Sequence, residues 1–213
     1  MILNDFLKNL NNPEKTRNFN IFKNNSLNEF EQKVKLTGLH KNFSDNVFPR
    51  RISVVGTNGK GSVSFILSEL ARKSQSYKKI GLYTSPHLSY KEERIRLNGV
   101  VIPEEKLNAV FNGLHKSNPR ILNNLSYFEV FTILAFYFFH LEHCDLEIYE
   151  AGLGGKLDAT KIAYSEILVL TKIGLDHSEI LGETKDNILK EKLAITSKFT
   201  KYLFYFDQED AHL

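Results

Sequence analysis

The sequence has little with which to build a disulfide, a membrane span or a polyelectrolyte surface. Cys144 is the only cysteine, so no internal disulfide can form, and a lone cysteine beside an apolar helix reads as a small core residue. Charge of one sign is also lacking. The 28 Lys and Arg stand against 25 Asp and Glu, and the resulting net charge of +3 is too small and too scattered to argue for nucleic acid. The longest apolar run, VFTILAFYFF at 130–139, is flanked by Glu129, His140 and Glu142; it is too short to cross a bilayer and predicts a buried helix. No charged stretch followed by an apolar one opens the chain, because Asp5, Lys8 and a run of Asn interrupt it. The expectation is a cytoplasmic protein.

What is present is the composition of an ordinary globular protein: 213 residues, 42% apolar and 25% charged, enough to bury a sizeable core with one domain as the default. The first fifty residues are rich in Asn, Lys and Phe, with NNPEKTRNFN reading as loop and SLNEFEQKVKLTGL as a modest helix. After Pro49 the pattern changes. RISVV is a β-branched run, Gly56 to Gly61 is flexible, and Val63, Ile66, Leu67, Leu70 and Ala71 then recur with helical spacing. KIGLYTS reads as a second strand ending near Ser85. After an insertion come a helix opened by Pro103, with Leu107, Val110, Phe111 and Leu114 on one face, and an aromatic helix from about 127 to 141. DLEIYEAG and EILVLTKIG predict two further strands, DNILKEKLAI a helix and KYLFYF a fifth strand. Strands alternating with helices predict an α/β fold with a mostly parallel sheet covered on both faces.

Each polar, glycine-containing cluster begins where a strand stops: Gly56 to Ser62, Ser85 to His87, Glu150 to Asp158, and Gly174 to His177. In an open parallel sheet those ends share one edge, so four distant segments should converge on one site.

The first cluster, VVGTNGKGSVS at 54–64, departs from the usual phosphate loop G-x-x-x-x-G-K-[ST]: Val54 stands at the first glycine and Gly61 separates Lys60 from Ser62. Its placement after a strand and before a helix is nevertheless what phosphate binding requires. Glycines let backbone N–H groups turn toward an anion, the helix start adds partial positive charge, and Lys60 adds a full one. A merely tight turn is the alternative, but it would not need a lysine at its crown. YTSPHL, taken alone, reads better as a Ser-Pro turn with a solvated His87. In YEAGLGGKLDAT, Glu150 ends an apolar strand, where an unpaired carboxylate is costly unless a metal or a base relieves it. Gly152, Gly154 and Gly155 permit close approach, and Asp158 could accept hydrogen bonds from a substrate; the alternative is a glycine-rich turn with a solvated acid. Asp176 and His177 follow the next strand, where a histidine is as readily structural as functional. Lys192 interrupts the apolar stripe Ile188, Ile195. It either snorkels outward or is held against apolar surface, which lowers its pKa and leaves a neutral amine able to take up CO2 as a carbamate.

VVGTNGKGSVS, YTSPHL, ERIRLNG, YFEVFTILAFYFF, EAGLGGKLDAT, GLDHSEILGET and EKLAI together resemble, in order and spacing from about residue 50 to 195, folylpolyglutamate synthase and dihydrofolate synthase, the folate branch of the Mur ligases. The resemblance implies a P-loop NTPase-like Mur ligase central domain. It also implies ATP-dependent ligation of L-glutamate to a folate or dihydropteroate carboxylate through an acyl phosphate, in a cytoplasmic enzyme expected to be monomeric, without nucleic acid or membrane. Gly56, Thr57, Asn58, Gly59, Lys60, Gly61 and Ser62 would hold ATP, with Lys60 on the phosphates. Ser85, Glu150 and His177 would hold Mg2+, and Lys192 would be carbamylated; Lys60, His177 and Lys192 make up the implied catalytic set. Ser126, Tyr127, Phe128 and Glu129 with Leu157, Asp158 and Ala159 would bind the pterin. The family usually has Arg where Lys156 stands and Asn where Lys161 stands, and its N-terminal folate-contacting segment has only KNNSLNEFEQ as a vague counterpart. The implied division is an N-terminal segment 1–48 packed on an ATP-binding domain 49–213, with the C-terminal glutamate-ligase domain expected to be absent. The alternative is a non-catalytic or truncated module that binds nucleotide or folate.

Overall fold

The computed structural model describes residues 3–12, 27–39 and 49–206. All but the first two residues of NNPEKTRNFN, read as loop, and the first residues of KNNSLNEFEQ lie outside them. Two helices come first, α1 (Leu3–Lys8) and α2 (Leu27–Leu36). They are followed by β1 (Arg50–Val55), α3 (Lys60–Ser74) and β2 (Ile80–Tyr83). A hairpin, β3 (Ile95–Leu97) and β4 (Val100–Val101), leads into α4 (Glu104–Ser117) and α5 (Tyr127–Leu141). The chain then runs through β5 (Leu146–Glu150), β6 (Ile167–Leu170), α6 (Ser178–Leu181), α7 (Lys185–Leu193) and β7 (Tyr202–Tyr205).

The strands form one seven-stranded sheet in the order β4-β3-β2-β5-β1-β6-β7. β2, β5, β1, β6 and β7 are parallel, and the β3–β4 hairpin is antiparallel at one edge. The fold is thus the mostly parallel α/β sheet expected, and β1 sits at its centre between β5 and β6.

Alternation along the strands divides the core in two. Val54, Ile80, Leu82 and Ile148 face α3, where Val63, Leu67 and Ala71 pack against them. Tyr83 and Tyr149 point the other way, into a core with α4 and the aromatic helix α5, while Val55, Leu168 and Leu170 meet Ile188 and Leu189 of α7 on that same side. α5 starts as its sequence dictates. Ser126 accepts from Glu129 N–H and Glu129 accepts from Ser126 N–H, a reciprocal cap ahead of a run in which almost every residue is buried.

Two details differ from the sequence reading. The stripe on α3 is only half used: Val63, Leu67 and Ala71 face the sheet, but Ile66 and Leu70 are 55% and 59% exposed, and Ser64 and Ser68 are buried in their place. Small side chains there let the helix lie close to the strands. The insertion after β2 is the β3–β4 hairpin, turned at Asn98 (φ 50) and Gly99 (φ 82), the Asn-Gly pair that a two-residue turn favours. Asn98 Oδ1 also accepts from Ile80 N–H at 2.8 Å, tying the turn to the start of β2.

Candidate active site

The parallel topology delivers the C-terminal ends of β1, β2, β5 and β6 to one edge, and a cavity of about 500 Å³ opens there, lined by the loop Thr57–Ser62, by Ser85 and by Glu150. The loop is pinned to the segment after β6. Thr57 Oγ1 donates to Gly174 O at 3.1 Å and accepts from Gly174 N–H at 3.0 Å, while Thr171 Oγ1 donates to Asn58 O at 2.8 Å. Gly59, at φ 82, ends the loop and starts α3 with no side-chain cap and no acidic residue in the first turn. Its leading N–H groups and positive dipole end are therefore available to an anion. Lys60 folds back over the loop, its Nζ donating to Thr57 O at 3.1 Å.

Glu150 explains the inserted glycine. A Cβ added to Gly61 would sit 3.3 Å from Glu150 Oε2, so the glycine lets a carboxylate approach the first turn of α3. Glu150 is 5% exposed and accepts from Ser85 N–H at 3.0 Å. Burial pushes its pKa up to about 7, opposed by that hydrogen bond and by the nearby charges of Lys60 and Arg94.

Lys192 does not snorkel. It is 4% exposed, in line with Ile188 and Ile195, and burial, reinforced by the charge of Lys60, brings its pKa down to about 8 against the opposing pull of Asp158, Asp176 and Glu191. Among the described residues no three His, Cys, Asp or Glu side chains gather as a metal-holding group. Of the three oxygen and nitrogen donors expected for a metal, Ser85 and Glu150 share the cavity wall. His177 is held at φ 51 beyond β6, with Nε2 3.8 Å from Asp176 Oδ1, and is not among the lining residues.

The two segments expected to bind a pterin are neighbours. A Cβ on Gly152 would lie 2.9 Å from the Phe128 ring and 3.4 Å from Asp158 Oδ2. Within them, Leu157 is exposed and Ala159 is buried. The Asp158 carboxylate is already satisfied inside the chain, accepting from Gly152 and Leu153 N–H on one oxygen and from Thr160 N–H and Oγ1 on the other. It shapes the glycine loop. Ser126 and Glu129 are likewise engaged in capping α5, while the Tyr127 ring faces His87 with centroids 6.4 Å apart.

No protein-family profile matches the chain. Individual proteins do. A dihydrofolate synthase/folylpolyglutamate synthase of Buchnera aphidicola (subsp. Acyrthosiphon pisum) is 42% identical over 146 residues, 68% of this chain and 34% of the relative. The Escherichia coli protein of the same name is 39% identical over 147 residues, 69% and 34% respectively. The structure of E. coli FolC in complex with ADP superposes with a TM-score of 0.79 at 30% identity, covering 97% of this chain and 45% of that one. Over its matched residues, the chain is similar to members of the folylpolyglutamate synthase/dihydrofolate synthase family. A bifunctional family member with Mn, AMPPNP and L-glutamate bound gives 0.76 over 95% of this chain and 45% of its own. The chain thus spans about a third of the length of these curated relatives, 34% in both cases.

The departures from the family pattern have visible local roles. Lys161 Nζ donates to Ala194 O at 2.6 Å, capping the end of α7. Lys156 is exposed and its N–H donates to Glu191 Oε1 at 3.1 Å. A third basic residue escaped the sequence reading altogether. Arg94 is fully buried, lies 5.2 Å from the centroids of both Tyr127 and Phe131, and donates from Nε to His87 Nδ1 at 2.9 Å. ERIRLNG carried the signal, since an Arg directly ahead of the strand-forming Ile95 is either exposed or buried with partners.

Proposed function

We propose that this chain supplies the ATP-binding part of a ligase that joins L-glutamate to the carboxylate of a folate or dihydropteroate through an acyl phosphate. The observation that carries the reading is the uncapped start of α3 with Lys60 above it, facing a buried Glu150 across one cavity. In this reading Gly56 to Ser62 hold the nucleotide phosphates by backbone N–H groups, with Lys60 as the point charge. Ser85, Glu150 and His177 are the residues that would hold Mg2+, a cation that keeps much of its water and needs few protein ligands. Ser85 and Glu150, which share the cavity wall, fit that role, because a carboxylate whose charge is penalised by burial is relieved by a hard cation. When bound, the metal would neutralise phosphate oxygens crowding against a substrate carboxylate. The protein's own part is positioning and electrostatics, with no covalent enzyme intermediate. Tyr127, Phe128 and Leu157 would flank the pterin, and Asp158 holds the loop that carries Leu157. The same reading divides the chain into an N-terminal segment 1–48 and an ATP-binding domain from 49.

Lys192 would carry a carbamate. Its neutral amine attacks CO2, an N–C bond forms and a proton is released, replacing a cation by an anion. With its pKa near 8, about half the amine is neutral at that pH. A carbamate carbonyl signal should appear in 13C NMR with labelled bicarbonate at pH 8 and vanish in Lys192→Arg; its absence from the wild type removes the carbamate from the scheme.

The second reading is a nucleotide- or folate-binding module without turnover. Release of ADP from Mg·ATP by the 213-residue chain, with folate and L-glutamate supplied, separates them. Release that needs all three substrates supports the ligase; binding of ATP or folate without release supports the module; no binding of either contradicts both.

A further inference from the structure

The cavity wall opposite the phosphate loop carries a second cation for which nothing above gives a role. Arg96 sits in the middle of β3, directly across from Leu82 of β2. Its neighbour Ile95 points into the core and is fully buried, so alternation turns Arg96 to the other side of the sheet, the side of α3. There its guanidinium lies 5.9 Å from the centroid of the Phe65 ring, and Arg96, Phe65 and Leu82 all line the cavity with the phosphate loop. Phe65 is 44% exposed although Ser64 and Ser68 of the same helix are buried. It serves as a platform for the guanidinium in place of a core contact.

Such a group normally has an anion. Among the described residues none of the ion pairs includes Arg96, and its ring contact is the only side-chain interaction it makes. Glu93, the nearest carboxylate in sequence and on the same wall, is spent on backbone donors: it accepts from Leu88, Ser89 and Tyr90 N–H at 2.8, 3.1 and 3.2 Å. The cavity wall thus carries two side-chain cations, Lys60 and Arg96, beside an open helix N-terminus, and of its two carboxylates, Glu93 and Glu150, Glu93 is already engaged by backbone N–H groups. That balance suits a ligand with more than one anionic group.

We propose that Arg96, held over the Phe65 ring, anchors an oxyanion of the ligand beyond the phosphate loop, either a terminal phosphate or a substrate carboxylate, through the paired donors of its guanidinium. The proposal rests on the functional reading above, because it assumes that the phosphate loop is filled by nucleotide. A planar fork is required for paired donation to either anion, and a lysine cannot supply it.

The test is calorimetric titration of Mg·ATP, Mg·ADP, and then L-glutamate and folic acid onto the Mg·ADP form, into the wild type, Arg96→Gln and Arg96→Lys. Both variants should keep the wild-type melting temperature to within a few degrees, since the Arg96 side chain makes no hydrogen bond among the described residues, and both should lose roughly ten-fold or more in affinity for one ligand. A loss for ATP and not for ADP identifies the terminal phosphate. A loss for L-glutamate or folic acid with nucleotide affinity unchanged identifies a substrate carboxylate. Wild-type affinities for all four ligands in Arg96→Gln overturn the anchor while leaving the nucleotide site intact; a wild type that binds no nucleotide overturns the functional reading, and the anchor with it.

Discussion

Glu150→Gln is expected to make the metal-free protein more stable at pH 8 and to leave it almost unchanged at pH 4.5. Burial raises the Glu150 carboxyl to about 7, so between the ordinary carboxylate range and pH 7 the folded protein holds a proton that the unfolded chain has released. The unfolded state binds fewer protons over that window, and stability falls as pH rises through it. Below it both states are protonated and the effect vanishes; above pH 7 the full cost of the buried charge is present. A shift of this size corresponds to at most about 3 kcal/mol. Gln retains an acceptor for Ser85 N–H and carries no charge, so a gain of about 1–2 kcal/mol at pH 8, or roughly 2–8 °C in melting temperature, is expected. Urea unfolding in EDTA at the two pH values measures it, and an equal gain at both would show that charge is not the cause. Magnesium-dependent nucleotide affinity should fall in the same variant if, as proposed, this carboxylate is kept for a cation at a cost in stability.

Gly155→Ala has the opposite sign and a larger structural effect. An added Cβ would lie 2.4 Å from Lys192 O and 2.7 Å from Glu191 O. Both are backbone atoms at the end of α7, so no side chain can swing aside; the helix must move away from the glycine loop and carry Lys192 with it. A loss of about 3 kcal/mol is expected, at the upper end of what overpacking costs, with a melting temperature lower by roughly 6–12 °C. Gly113→Ala is the control. It lies inside α4, where the added Cβ meets only the Tyr137 ring, at 3.7 Å, and the better helix propensity should raise stability by about 0.5–1 kcal/mol. Equal melting temperatures for the two variants would contradict the close approach of loop and helix.

Most of the architecture was legible because it rests on periodicity. Leu107, Val110, Phe111 and Leu114 are all buried on α4, and the run after Ser126 is buried on nearly every side of α5. The convergence of the loop Thr57–Ser62, Ser85 and Glu150 on one cavity followed from strand ends alone, given a parallel sheet. Lys192 was legible as a break in a stripe, though only the structure decides that it stays inside. Three things were hidden. The hairpin strands are three and two residues long, too short to show alternation, although Asn98-Gly99 marks their turn. Ser64 and Ser68 are buried because closeness of helix to sheet outweighs polarity there, a tertiary effect that no hydrophobic stripe records. Arg94 is enclosed by two aromatic rings from α5, and Arg96 owes its cavity position to the pairing of β3 with β2; both depend on contacts between segments far apart in sequence.

The most direct measurement is calorimetric titration of Mg·ATP into the 213-residue chain and into Lys60→Ala. One saturable site in the wild type, weakened roughly thirty- to a hundred-fold when the Lys60 charge is removed, is the predicted result. No saturable binding, or the same affinity in both proteins, would contradict the assignment of the loop Gly56 to Ser62 as a nucleotide site.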